Sequence, residues 1–334
     1  MRSPERIADG PVGGPGGRSR WTDIDGLVHY LDFGGPANSA LIVAVHGLGG
    51  AAVNWCAIAP KLTRRYRLLA PDLAGHGLTK SGNRGTDVAS NTTLLHRFTE
   101  SVADGPVVLM GNSMGGMIAL LEARAAPAKV AGLILVDPAL PFQPVRLDPL
   151  VTAVFALSAT PVLGPLLARQ RRFLPVESMV ASTLAVCCAD ASRVPPEIVA
   201  QHIEVATKRA AMDGNGKDFA HAARSVIETA GFLHGQAYRR GIRDVRCPVL
   251  LVHGERDRLI PVAAARMAAK AHPDWTLTVL PDVGHVPQLE APEETASAVT
   301  AWLRGAGALA AKAATPKRKR RSQPQRLRQV KKPA

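Results

Sequence analysis

Ser113, Asp257 and His285 are the residues whose types and order could together do chemistry. A serine hydroxyl is a poor nucleophile at neutral pH; it needs a base within hydrogen-bond reach and an acid that orients the base. Ser113 stands in the string Gly111-Asn112-Ser113-Met114-Gly115. A short apolar run, Val107–Met110, precedes it, and Met117, Ile118, Leu120 and Leu121 follow at helical spacing. Strand, one tight turn and helix place the serine at the tip of a strained turn, and the flanking glycines let the helix pack close under the strand. Asp257 follows the strand end Val252-His253-Gly254, and His285 follows Gly284 in the loop after another strand. Nucleophile, acid, base is the chain order that accompanies a strand–serine–helix elbow.

Plainer roles compete at each position. Ser113 could be a solvated serine in a glycine-rich turn. Asp257 could pair with Arg256 or Arg258, or cap the helix that starts near Pro261. His285 could be a surface or capping histidine. Asp137, which ends the strand run Leu133–Val136, is the second-choice acid, although Asp137-Pro138 reads first as a turn. Acyl transfer also needs N–H donors for a tetrahedral oxyanion. The backbone of Met114 supplies one, and the glycine loop His46-Gly47-Leu48-Gly49-Gly50 supplies the other, at Leu48.

The elements that must position these groups follow from pattern. Trp21–Ile24 and Leu27–Leu31 flank Asp25-Gly26, a hairpin signal. Apolar-rich runs at Ala40–Val45, Arg67–Ala70, Val107–Met110, Leu133–Val136, Pro248–Val252 and Trp275–Leu280 read as strands of the parallel type. Helical spacing marks residues 52–63, Thr93–Val102, the stretch after Ser113, residues 261–271 and residues 292–304. Between 139 and 235 the rhythm breaks into proline-punctuated helical segments such as Leu150–Ala159, Val162–Ala168, Ser178–Cys188 and Pro196–Arg209. Alternating strands and helices with one all-helical insertion specify an α/β fold carrying a helical cap. In such sheets ligands bind at the carboxyl ends of the strands, where every polar candidate falls.

The expected organisation is a disordered lead over 1–20, core over 21–138, cap over 139–235, core again over 236–304, and a basic disordered tail over 305–334. The net charge of +14 belongs to that tail, which holds ten Lys or Arg and no acid; without it, 31 basic residues face 27 acidic ones. A tail of this kind is a solvated extension or a loose contact to anionic membrane or nucleic acid. The first 20 residues have no apolar stretch of signal-peptide type, and no apolar run reaches membrane-span length. Cys56, Cys187, Cys188 and Cys247 form neither a disulfide framework nor a zinc pattern, so reduced thiols, a cytoplasmic location, no metal and no cofactor are expected. Oligomeric state is not encoded in any pattern found. The Ala-, Arg- and Gly-rich composition resembles that of high-GC bacteria.

The chain resembles the α/β-hydrolase fold superfamily. The matching pieces are His46-Gly47 with its glycine loop, Trp55, Asp72-x-x-Gly75-His76-Gly77, Gly111-Asn-Ser-Met-Gly115-Gly116, His253-Gly-Glu-Arg-Asp257 and Gly284-His285. They run in order over about residues 40–290. The resemblance implies a mostly parallel, eight-stranded-type sheet with helices on both faces and an inserted cap. It also implies a triad of Ser113, Asp257 and His285, with His46, Gly47 and Trp55 beside the substrate. A serine at 113 argues against the branches with an aspartate nucleophile. The implied activity is that of an esterase or lipase on an apolar, acyl-like ester, in keeping with the apolar segment 147–168. Two alternatives stand beside it. One is a carbon–carbon bond hydrolase of the ring-cleavage type, which shares the Gly-Asn-Ser-Met-Gly-Gly string but has a Pro-Gly pair in the first glycine loop and an aromatic residue after the histidine. Here the loop reads Leu48-Gly49-Gly50-Ala51 and Val286 follows His285. The other is a non-catalytic binding protein tethered by its basic tail.

Overall fold

The computed structural model describes residues 17–141, 160, 174–212, 215–231 and 235–305. The expected helical segments Leu150–Ala159 and Val162–Ala168, and the basic tail from 306 onward, lie outside the described residues. The chain opens with a hairpin, β1 (Arg18–Asp23) and β2 (Leu27–Gly34), turned by Asp25 at φ 52° and Gly26 at φ 114°. The lead expected through Arg20 thus gives way to strand at Arg18, which pairs with Asp32. The strands that follow are β3 (Leu41–Val45), β4 (Arg67–Pro71), β5 (Val107–Asn112), β6 (Val130–Val136), β7 (Val249–Gly254) and β8 (Thr276–Leu280). They form one eight-stranded sheet in the order β1-β2-β4-β3-β5-β6-β7-β8. Only the pairs β1·β2 and β2·β4 are antiparallel.

Alternation along each strand divides the core into two layers. Ile42, Ala44, Val108, Met110, Ile134, Leu250 and Val252 face one side. Leu41, Val43, Val45, Leu109, Leu133, Leu135, Val249 and Leu251 face the other. Both faces are covered by helices, so β3, β5 and β7 are buried at every position, and each aliphatic side chain withdrawn from water contributes about 2 kcal/mol.

The helices are α1 (Ala59–Leu62), α2 (Val88–Val102), α3 (Met114–Ala125), α4 (Val176–Cys187), α5 (Pro196–Ala210), α6 (Asn215–Ala230), α7 (Gly235–Arg243), α8 (Val262–Ala271), α9 (Pro287–Glu290) and α10 (Pro292–Arg304). Helix α2 starts five residues before the expected Thr93, because Asp87 caps it by accepting the Ser90 N–H. The single helix expected over 52–63 is instead a 3-10 turn, Ala52–Trp55, and one turn of α-helix. The Asp72 carboxylate takes the Ala52 N–H at 2.6 Å and Pro60 resets the start of α1, so the two short pieces do not merge. Between β6 and β7 every regular element among the described residues is helical. Helix α7 packs on both α3 of the core and α6 of the insertion, and Tyr238 donates to the Ala139 carbonyl at 2.9 Å.

Candidate active site

The elbow is built from its backbone outward. Ser113 has φ 55° and ψ −118°, a left-handed conformation that a non-glycine residue holds only when its surroundings over-determine it. They do: its N–H donates to Val136 O, and its carbonyl accepts from Ala139 and Met117. A Cβ at Gly111 would lie 2.4 Å from Gly115 O, and one at Gly115 would lie 2.2 Å from Val45 O. Both glycines are therefore required for α3 to pass under β5 and β3. Asn112, beside the serine, donates through Nδ2 to both Val136 O and His285 O, each at 3.0 Å. It ties the histidine loop to the nucleophile's strand.

On the far side of the sheet His285 Nδ1–H donates to Asp257 Oδ2 at 2.7 Å, both side chains buried. The other Asp257 oxygen accepts the N–H groups of Leu259 and Ile260. Burial pushes the Asp257 carboxyl up, but His285 first and His253 after it outweigh burial and hold it below the usual aspartate value. With Nδ1 committed to Asp257, the lone pair of His285 Nε2 is the one available for a base. The His285 loop is fixed by Glu290, a buried carboxylate that accepts N–H groups from Gly284, Ala189 and Asp190 at 2.8–3.1 Å. The His285 N–H itself donates to Cys187 O at the end of α4. Burial raises the Cys187 thiol to about 12, so it is inert as a nucleophile.

Asp137 does not take the acid's place. It is fully buried behind Asp257, with Oδ1 accepting the Gly254 N–H at 3.0 Å, and its contacts run to His253 and Asp257 rather than to the His285 ring. The ligand atoms of Asp137, His253 and Asp257 lie within 4.8 Å of one another, close enough for an ion. The donor set fits hydrogen bonding better than a metal, since His253 Nε2–H is spent on Ile260 O and Asp257 already accepts three N–H groups.

The glycine loop lies against the serine from the opposite side. A Cβ at Gly47 would come within 3.0 Å of Ser113 Cβ. Gly50 N–H closes a turn onto Gly47 O, with Leu48 and Gly49 (φ 70°) at its tip, the positive φ a type II turn needs at that position. Leu48 is half-buried, and Met114 begins α3, so its N–H has no intrahelical acceptor.

His46 and Trp55, expected beside the substrate, are framework residues instead. Both are wholly inaccessible to water. His46 spends Nδ1–H on Gly47 O and accepts the Leu73 N–H at Nε2, while Trp55 packs in the core with Ile58 and Leu62. Next to them Asp72 is a hub: it accepts from Ala52, Leu78 and His29 Nδ1. The His76 ring lies tilted against His46, their centroids 5.4 Å apart, and burial pulls its imidazole down to about 3.

The helical insertion grips both glycine loops. Arg209 of α5 donates to Gly75 O and to Asp218 of α6, and the Phe219 ring would meet a Cβ at Gly49 at 3.0 Å. Asn112 and Glu290 were not singled out as site residues; the signals for them were a polar residue abutting the nucleophile and a carboxylate shortly after the histidine.

The model of the Alpha/beta hydrolase family matches residues 42–298. The chain is similar to the pimeloyl-[acyl-carrier protein] methyl ester esterase of Aromatoleum aromaticum, at 30% identity over 79% of this chain and 98% of that protein. It is also similar, at 26% identity over 85% and 90% of the two chains, to the 2-hydroxy-6-oxo-6-(2'-aminophenyl)hexa-2,4-dienoic acid hydrolase of Metapseudomonas resinovorans. Among solved structures, a thermophilic esterase from Thermogutta terrifontis shares the fold, with TM-score 0.64 at 23% identity over 86% of this chain and 97% of that one. The chain belongs to the alpha/beta hydrolase family, and it is a hydrolase.

Proposed function

We propose that the protein is a serine hydrolase that cleaves a carboxylic ester of an apolar, acyl-like substrate through an acyl-enzyme. The observation that carries this reading is Ser113 held at φ 55° on the elbow, with the Asp257–His285 pair tied to the same strand end through Asn112. His285 Nε2 takes the Ser113 proton as the hydroxyl oxygen attacks the ester carbonyl. The N–H groups of Met114 and Leu48 receive the oxyanion, and Asp257 fixes the ring and stabilises its charged form. His285 then protonates the leaving alcohol, and water repeats the sequence on the acyl-serine. The similarity to an esterase acting on a pimeloyl methyl ester supports an acyl ester as the substrate class. No helix among the described residues is long and apolar enough to cross a membrane.

The second reading, a carbon–carbon bond hydrolase, draws on the similarity to the ring-cleavage-product hydrolase. Labelling by a fluorophosphonate, followed by a panel of esters of increasing acyl length, tests the first. Wild type is expected to label and turn over esters, and Ser113→Ala to lose labelling and about ten-thousand-fold in kcat/KM. Labelling that survives in Ser113→Ala overturns the assignment of the nucleophile. Labelling without ester turnover, joined to cleavage of a dienoic keto acid, favours the second reading. Absence of both leaves a binding protein on this fold.

A further inference from the structure

Behind the Asp257–His285 pair lies a second acid. The Asp137 and Asp257 carboxyls are both buried, with a ligand oxygen of one within 4.8 Å of that of the other. Two buried carboxylates this close repel each other, and a proton on one of them removes the repulsion and makes it a donor to the other. The donors around the pair decide which. Asp257 is fed by three N–H groups, from Leu259, Ile260 and His285. Asp137 is fed by one good donor, Gly254 N–H on Oδ1, and its Oδ2 has no hydrogen-bond partner. His253 adds little to either: its Nε2 lies 3.4 Å from Asp137 and 3.5 Å from Asp257, while its good bond, at 2.8 Å, goes to Ile260 O. Three hydrogen bonds stabilise the charge on Asp257, and the orphan oxygen of Asp137 is where a proton fits.

We propose that Asp137 is a neutral carboxylic acid whose O–H donates to Asp257, a positioning residue that completes a buried chain Asp137–Asp257–His285. The inference deepens the serine-hydrolase reading and rests on it for its kinetic consequences. Burial and the neighbouring Asp257 charge hold the Asp137 carboxyl well above the ordinary value of 3.8, while Asp257 is held below it. The other groups that face the pair do not supply a compensating positive charge. His253 is kept neutral by burial, Glu290 adds negative potential, and Cys187 is a thiol. Arg266 acts only on His253, from the exposed side of α8. The arrangement gives the imidazolium formed on His285 one negative partner rather than two, and that partner cannot rotate away.

Infrared spectroscopy of the whole protein carrying 13C in its aspartate carboxyls reads the proton directly. A protonated-carboxyl band that shifts with the label should persist at neutral and mildly alkaline pH and vanish in Asp137→Asn. Its absence from wild type overturns the proposal, and this readout needs neither turnover nor a variant. Kinetics supply the second arm. Asp137→Ala removes the donor and should lower kcat by about tenfold, the loss of one hydrogen bond to a charged group. Asp137→Asn restores an N–H donor of the same shape and should recover most of that loss with the acid limb of the pH–rate profile unmoved. Were Asp137 ionised, the same asparagine would delete a charge near His285 and lower that limb by about one pH unit or more, which also overturns the proposal. A labelled band in a protein that hydrolyses no ester keeps the acid pair and removes the esterase reading; an active esterase without the band does the reverse.

Discussion

Two buried Asp–His pairs occupy this molecule, and we propose that only the one beside the elbow serves a nucleophilic serine. In the first, Asp257 takes Nδ1–H of His285 at 2.7 Å, and the serine is Ser113. In the second, Asp72 takes Nδ1–H of His29 at the same 2.7 Å, and His29 Nε2 accepts from Ser19 Oγ at 2.9 Å. By hydrogen-bond geometry alone the second set is the better connected. What separates them is the backbone. Ser19 lies in regular strand, paired across the hairpin with Leu31, whereas Ser113 is forced to a positive φ at a helix start whose N–H groups face outward. The free valences differ too: Asp72 gives its oxygens to Ala52 and Leu78 and thereby shapes two loops. A hydrogen-bonded triad is thus a structural motif until a strained nucleophile and oxyanion donors stand beside it.

The largest test of that contrast exchanges each histidine for glutamine. His285→Gln should lower kcat/KM by about ten-thousand-fold while the protein stays folded, as loss of a triad member does. His29→Gln should keep kcat/KM within about threefold and lower unfolding free energy by about 2 kcal/mol, the cost of an unmatched buried partner. Denaturant curves and ester turnover on the same preparations check both, and a dead His29 variant would erase the distinction. Next, Asp72→Asn should cost about 3 kcal/mol of stability, since it removes a buried charge on which three donors converge. It should also change the acid limb of stability. Burial alone would raise the Asp72 carboxyl, but His29 and the surrounding donors outweigh it and hold the folded value below 3.8. Asp72 therefore stabilises above that value and loses its contribution as pH falls through the lower, folded one, so acid unfolding should be steeper in wild type than in the asparagine variant. The smallest effect is expected of Ser19→Ala: about 1 kcal/mol or less in stability and unchanged fluorophosphonate labelling, measured by thermal melts and gel fluorescence.

The proposed set can be named from the sequence and the second cannot, for a physical reason. The elbow announces itself locally, because Gly111 and Gly115 are demanded by close approach within a few residues of Ser113. Asp257 and His285 could be placed because each follows a recognisable strand. Ser19, His29 and Asp72 meet only through the antiparallel register of β1, β2 and β4, which brings together residues up to 53 positions apart with no local signature. The same non-local hub explains the misread stretch 52–63, where apolar spacing was right and the pull of Asp72 on Ala52 was invisible. His46 and Trp55 were correctly marked as special and wrongly put beside the substrate: the glycine loop needs them as its foundation. The protonation of Asp137 depends on which carboxyl collects the N–H donors, a property of the folded site alone.

The Glu290 clamp has a consequence for exchange of parts. One carboxylate holds the main chain of the insertion, at Ala189 and Asp190, and that of the histidine loop, at Gly284. A foreign insertion spliced between β6 and β7 would therefore have to present two correctly aimed amides to this acceptor, or the base would lose its registration with the serine. Modularity in this molecule stops at residues 187–190: Cys187 holds the His285 N–H, Ala189 and Asp190 hold Glu290, and all three belong to the chassis.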